Sequence, residues 1–109
     1  MATYFRNKII KDIGTQKIEV FASDGSTNAT VLGINIANVT EFAINVNIYV
    51  KNDTSVEGFF MKDVMVAPNS SFKGMLGGEK LIIPANNSLL VQSNLSNSCD
   101  AIISYVDIV

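Results

Sequence analysis

An all-β fold is predicted, a single-domain antiparallel β-sandwich (jelly-roll or Ig-like) of about eight or nine short strands. Three observations carry that expectation. Apolar and polar residues alternate through most of the chain, as strand residues do when successive side chains point to opposite faces. The alternating runs are separated by clusters of Asn, Ser, Asp, Gly and Pro, which punctuate strands. Nowhere does the i, i+3, i+4, i+7 pattern of an amphipathic helix persist.

The elements follow in order. Met1 to Lys8 carries Tyr4, Phe5, Arg6 and Lys8 without a period, and reads as an N-terminal arm or edge strand; the sandwich proper is expected over 9–109. Ile9, Ile10 and Ile13 lead to a break at Gly14. Lys17 to Ala22 alternates, with Ile18 and Val20 on one side and Glu19 and Phe21 on the other. Ser23 to Asn28 is a loop by composition.

Thr30 to Lys51 is the centre of the chain. Leu32, Ile34 and Ile36 share one face of a first strand. Ile44, Val46, Ile48 and Val50 share one face of a second, opposite Asn45, Asn47, Tyr49 and Lys51. The polar Asn38-Val39-Thr40-Glu41 between them predicts an antiparallel hairpin in the middle of one sheet.

Asn52 to Ser55 is another turn cluster, and Phe59 to Val66 a strand that is apolar on both faces: Phe60, Val64 and Val66 on one, Phe59, Met61 and Met65 on the other. Pro68 ends it, since proline cannot donate to a ladder. Short strands are expected over Phe72–Leu76 and Glu79–Ile83, with a tight turn or bulge at Gly77-Gly78. Ser88–Ser93 and Ala101–Ile108 complete the set. The last strand is again apolar on both sides, and a monomer seldom leaves so much apolar surface uncovered.

Composition narrows the function. A chain of 109 residues suits one domain. Net charge is −2, a balance without the positive field that holds phosphate backbones, so no nucleic acid is expected as partner. The N-terminal segment lacks the apolar run of a signal peptide, and no stretch approaches the ~20 apolar residues of a membrane-spanning helix; no membrane association is expected. Asn28, Asn38, Asn52, Asn69, Asn86 and Asn94 each begin an Asn-x-Ser/Thr triplet, which is read as turn chemistry rather than glycosylation.

Candidate chemistry is sparse. The chain has no histidine, which excludes Ser-His-Asp and Cys-His arrangements. Cys99 is the one cysteine and has no neighbouring cation in sequence to lower its pKa; it reads as a structural thiol. Carboxylates are scattered singly. Asp24-x-Ser26-x-Asn28 offers alternate oxygen ligands but lacks the glycine and the final acid of a calcium loop, and is read as an Asx turn. The Gly74–Lys80 stretch does not complete a phosphate loop. No catalytic residue, cofactor or metal site is therefore expected. What remains is surface: Tyr4, Phe5 and Arg6 in the arm, Asn45, Asn47 and Tyr49 on one strand face, and Phe59, Met61, Met65 and Met75 as a soft apolar patch, the residue types that interfaces favour.

The order of segments also carries a resemblance. Ala37–Thr40 (ANVT), the alternating Ile44–Val50, Lys62–Ser71 (KDVMVAPNSS), Gly77–Leu81 (GGEKL) and Ile103–Tyr105 (ISY) together resemble small β-sandwich virion proteins of tailed bacteriophages. The likeness spans Ile9 to Ile108 and rests on strand and turn punctuation. It implies a capsid decoration or cement role, or a place in the neck, tail or fibre. It also implies a homo-oligomer, a trimer foremost, bound to the major capsid protein or to neck or tail proteins in the virion. A receptor- or carbohydrate-binding sandwich is the alternative. The lack of tryptophan and the few tyrosines weigh against it.

Overall fold

The computed structural model describes residues 3–74 and 80–108. Among them run nine strands: β1 (Thr3–Ile13), β2 (Ile18–Ala22), β3 (Asn28–Asn38), β4 (Ile44–Lys51), β5 (Glu57–Val66), β6 (Ser71–Lys73), β7 (Leu81–Ile83), β8 (Ser88–Ser93) and β9 (Cys99–Ile108). They form two antiparallel sheets. Sheet A has the order β1-β9-β3-β6, with β7 also pairing to β3 beyond β6. Sheet B has the order β2-β8-β4-β5. The all-β sandwich expected from the sequence is the fold observed.

The pairing follows one rule. The chain doubles back at the 52–56 turn, so β4 meets β5, β3 meets β6 and β7, β2 meets β8, and β1 meets β9. This long double ribbon is then rolled up, which brings β3 against β9 and β4 against β8. That strand order is a jelly roll rather than an Ig-like sandwich.

The predicted central hairpin is corrected here: β3 lies in sheet A and β4 in sheet B, and residues 39–43 cross between the layers. Asn38 directs the crossing. Its buried carboxamide donates from Nδ2 to the carbonyls of Phe42 (2.7 Å), Val66 (3.2 Å) and Ala67 (3.2 Å). Its Oδ1 accepts from Thr40 N–H (2.9 Å) and from the Thr40 hydroxyl (2.8 Å). Asn52 caps the 52–56 turn likewise, accepting from the backbone N–H and the hydroxyl of Thr54. Two of the Asn-x-Thr triplets are therefore built turns, in which the threonine serves the asparagine.

The core lies between the sheets. Val31, Ile34, Ile36, Ala101 and Ile103 from sheet A meet Val20, Ile44, Val46, Ile48, Leu89 and Val91 from sheet B. Alternation places most of these correctly, and bulges account for the exceptions. A register shift between Glu19 and Phe21 buries both Val20 and Phe21, which were expected on opposite faces. Another between Val31 and Gly33 turns Leu32 outward, away from Ile34 and Ile36. Irregularities around Ile48 in the β4–β5 pairing turn Met61 partly onto the core. One extra residue in a strand reverses the facing of everything beyond it.

Gly14 marks the passage from β1 to β2. A Cβ there would lie 3.1 Å from the Asn97 nitrogen and 3.2 Å from the Ser96 Cα, backbone atoms that would have to give way, so glycine eases the close approach of the β8–β9 loop. The expected turn at Gly77-Gly78 and the adjoining ends of the strands around it fall outside the described residues.

Candidate interaction surface

Residues 3–8 belong to the same strand as Ile9–Ile13, and β1 forms one edge of sheet A. Every residue from Thr3 to Ile9 is exposed. Arg6 is held to β9 by its salt bridge with Asp107 (3.2 Å), and its guanidinium lies over the Tyr4 ring.

The register defines what sheet A shows to solvent. Ala101 and Ile103 point into the core, so Ile102, Ser104, Val106 and Ile108 point out. Rows run across the strands from these positions. Phe5, Val106, Thr30 and Ile82 form one row, and Ile9, Ile102, Asn35 and Lys73 another. Between them lie Asn7, Ser104 and Gly33. Phe5 is 80 % exposed, Ile9 60 % and Ile82 57 %, so the outer face of sheet A shows exposed apolar side chains beside uncharged polar ones such as Asn7, Thr30 and Ser104. Its paired positions carry charge only toward one end, at Lys73 and Asp100.

The face is dented in the middle. A hollow of about 240 Å³ is lined by Gly33, Ile34, Asn35, Lys73, Ile102 and Ser104. Gly33, which has no side chain, is part of its lining. The Asn35 Oδ1 beside it is shut off from solvent without a hydrogen-bond partner.

Sheet B presents a different surface. Tyr49 points outward from β4 yet is only 6 % exposed. Phe59 packs on its ring at 4.8 Å between centroids, and the Lys17 ammonium sits 4.3 Å from its centroid. Its hydroxyl donates to Gln92 Oε1 at 2.6 Å. Asn47 is likewise engaged: its Oδ1 accepts from the Asp63 N–H at 2.7 Å, where β5 bulges with φ 50°. Asn45, Phe59 and Met65 remain exposed.

The ten candidate contact residues thus divide. Tyr4, Phe5 and Arg6 lie on sheet A and Asn45, Phe59 and Met65 on sheet B, in opposite layers. Tyr49, Asn47 and Met61 are occupied inside the protomer, and Met75 lies outside the described residues. Ile9, Ile82, Ile102 and Ile108 were not singled out individually. The two-sided apolarity of the last strand was the signal that pointed to the latter two.

Among the described residues no three of His, Cys, Asp and Glu come together as a metal site. Cys99 is fully buried, and desolvation pushes its thiol up to about 11, partly opposed by a hydrogen bond to Ser98. Such a thiol is not a nucleophile at neutral pH. Asp24 forms the expected Asx turn, accepting from the Ser26 N–H at 2.9 Å and the Ser26 hydroxyl at 3.1 Å. These hydrogen bonds, led by the Ser26 N–H, hold its carboxyl below the usual range. Among the described residues no helix is long and apolar enough to cross a membrane.

The chain matches no protein-family model and no curated protein sequence. Solved structures do share its fold. A chain of the Bacillus endospore appendages, a family of disulfide-linked pili, superposes with a TM-score of 0.57 at 9 % identity, covering 96 % of this chain and 86 % of that one. A chain of the acid-stable capsid of Helicobacter pylori bacteriophage KHP30 gives 0.54 at 8 % identity, covering 100 % and 89 %. A chain of the T13 particle of infectious bursal disease virus gives 0.53 at 7 % identity; 96 % of this chain matches 35 % of that longer one. At these identities the likeness is one of fold: the jelly roll found here is also the fold of chains from phage and viral capsids and from a pilus.

Proposed function

We propose that this chain is a non-enzymatic structural subunit of a tailed-phage virion, a capsid decoration or cement protein that stabilises the head through protein–protein contacts. The observation that carries the reading is the outer face of sheet A. It carries exposed apolar side chains with little charge among them, Phe5 at 80 % and Ile9 at 60 % exposure. Monomers rarely leave such a surface bare. Depletion of charge at the centre and apolar anchors such as Phe are what a protein–protein interface presents. The absence of histidine and the buried thiol, with carboxylates that do not cluster among the described residues, support a non-enzymatic reading. The occurrence of the same fold in a phage capsid and in a pilus supports an assembly role, and the phage-like order of segments favours the virion. A neck, tail or fibre position is the alternative within the same class.

The test is particle composition. Virions purified from a strain carrying the gene should contain the chain stoichiometrically, and cryo-electron microscopy should place jelly-roll density on the outside of the head. Density on the neck, tail or fibre would move the assignment there. Complete absence from purified particles would overturn the virion reading.

A further inference from the structure

Gly33 is unusual for its position. It stands in the middle of the longest inner strand of sheet A, where glycine weakens a strand. It adjoins the register shift between Val31 and Gly33, where strands often carry glycine, but two stricter reasons for one do not apply. Its φ lies outside the left-handed range, so the backbone does not require it. Among the described residues no heavy atom beyond its chain neighbours lies within 4 Å of where a Cβ would stand, so no contact with them requires it either. The space where its side chain would stand opens on the hollow of the outer face, which Gly33 lines together with Ile102 and Ser104.

The same face carries a projection to match. Phe5 is 80 % exposed, on the same side of the sheet, two strands and two residues away from Gly33. At ordinary strand spacing that separation is about 12 Å. We propose that two copies of the chain pack sheet A against sheet A about a two-fold axis, with Phe5 of each copy seated in the Gly33 hollow of the other. A two-fold running over β9 between Ser104 and Val106 makes the contact reciprocal, as isologous interfaces require.

Two further observations favour a second copy as occupant. The paired positions of the face are nearly uncharged, so a self-contact brings few like charges together and a strongly charged partner would find little to bind. The face also has the right size: four strands wide and about ten residues long is roughly 20 by 30 Å. That is near the footprint of a stable interface, which takes about 800 Å² of accessible surface from each partner. The inference rests on the assembly-subunit reading and names the self-contact within it.

Sedimentation of the full chain over a micromolar concentration series tests it. The wild type should show a monomer–dimer equilibrium. Gly33→Val fills the hollow with a better strand former. It should weaken dimerisation roughly tenfold or more while leaving the circular dichroism unchanged and the monomer at least as stable. Phe5→Ser should weaken dimerisation similarly, and Phe59→Ser on sheet B should not. A wild type that stays monomeric, a trimer, or a dimer indifferent to both sheet A variants would overturn the proposal. The virion assignment fails separately, by absence of the chain from purified particles. A dimer that never enters particles sinks that assignment alone, and a particle-bound chain that is monomeric in solution sinks the dimer alone.

Discussion

Lys17, just before β2, and Glu57, which opens β5, form a salt bridge although β2 and β5 are opposite edges of sheet B. The pair spans the outer face of the sheet above the Tyr49 ring, with the Lys17 ammonium against that ring. Glu57, first through its hydrogen bond, raises the Lys17 pKa above its ordinary value. A raised lysine pKa means that the folded state holds the proton more tightly. The stabilisation is complete below the ordinary lysine pKa and is lost as pH rises through the raised one. Beneath this strap, Tyr49→Phe removes the hydroxyl bonded to Gln92 and should cost about 1 kcal/mol. Glu57→Gln should leave a smaller loss that shrinks further with added salt, because the pair is exposed to solvent. Urea midpoints at low and high ionic strength check both.

Asn38 should be the most sensitive polar residue. It is 3 % exposed and links the end of β3 to the carbonyls of Val66 and Ala67 in the other layer. Asn38→Ala leaves those acceptors and the Thr40 donors without their partner. The expected cost is roughly 2–4 kcal/mol in chemical denaturation, since each buried group left unsatisfied costs about 1–3. Asn38→Asp keeps the acceptor but loses both donors and should recover little of this.

Cys99 makes stability fall at alkaline pH. Its thiol is pushed up to about 11 from the 9.0 of a free thiol. Above about pH 9 the unfolded chain therefore loses a proton that the folded chain keeps. Unfolding becomes easier by roughly 3 kcal/mol between pH 9 and 11, at 1.36 kcal/mol per pH unit. Cys99→Ala should flatten most of that slope, leaving the contribution of Lys17 above the ordinary lysine pKa. In the native protein at neutral pH the thiol should resist a bulky thiol reagent and react only on unfolding.

Neighbouring residues of β9 should behave oppositely. Ile103 is fully buried between the sheets, and Ile103→Ala should cost about 3 kcal/mol through lost burial and the cavity left behind. Ile102 is on the outer face, and Ile102→Ala should cost under about 1 kcal/mol of monomer stability. Equal losses in urea titrations would mean that the register of β9 is not the one described.

Deleting Met1–Lys8 removes exposed side chains but also the ladder from Thr3 to Lys8 that covers β9. The truncated chain should keep its β-rich circular dichroism and aggregate more readily, because β9 then becomes an open edge with apolar neighbours. Light scattering alongside circular dichroism distinguishes this from loss of folding.

The amino-acid sequence by itself determined that the molecule is a stack of strands joined by polar turns. Alternation with a period of two assigns side chains to faces locally. Ile44, Val46 and Ile48 could be placed in a core, and Ile102 set opposite Ile103, without knowing any partner strand. The Asn-rich connectors were equally legible as turns, because Asn38 and Asn52 cap their turns through atoms within a few residues. Only the tertiary structure decided which strands pair. A five-residue connection after Asn38 serves a hairpin and a crossing between layers equally well. The difference lies in bonds from Asn38 to Val66 and Ala67, far away in the chain. Bulges at Val20, Leu32 and Met61 were hidden for the same reason: an extra residue is defined against a neighbouring strand. So was the fate of Tyr49, whose burial depends on Lys17 and Phe59 arriving from elsewhere. The dented apolar face around Gly33 emerged only once β1, β9 and β3 lay side by side, because a surface belongs to the register between strands and not to any one of them.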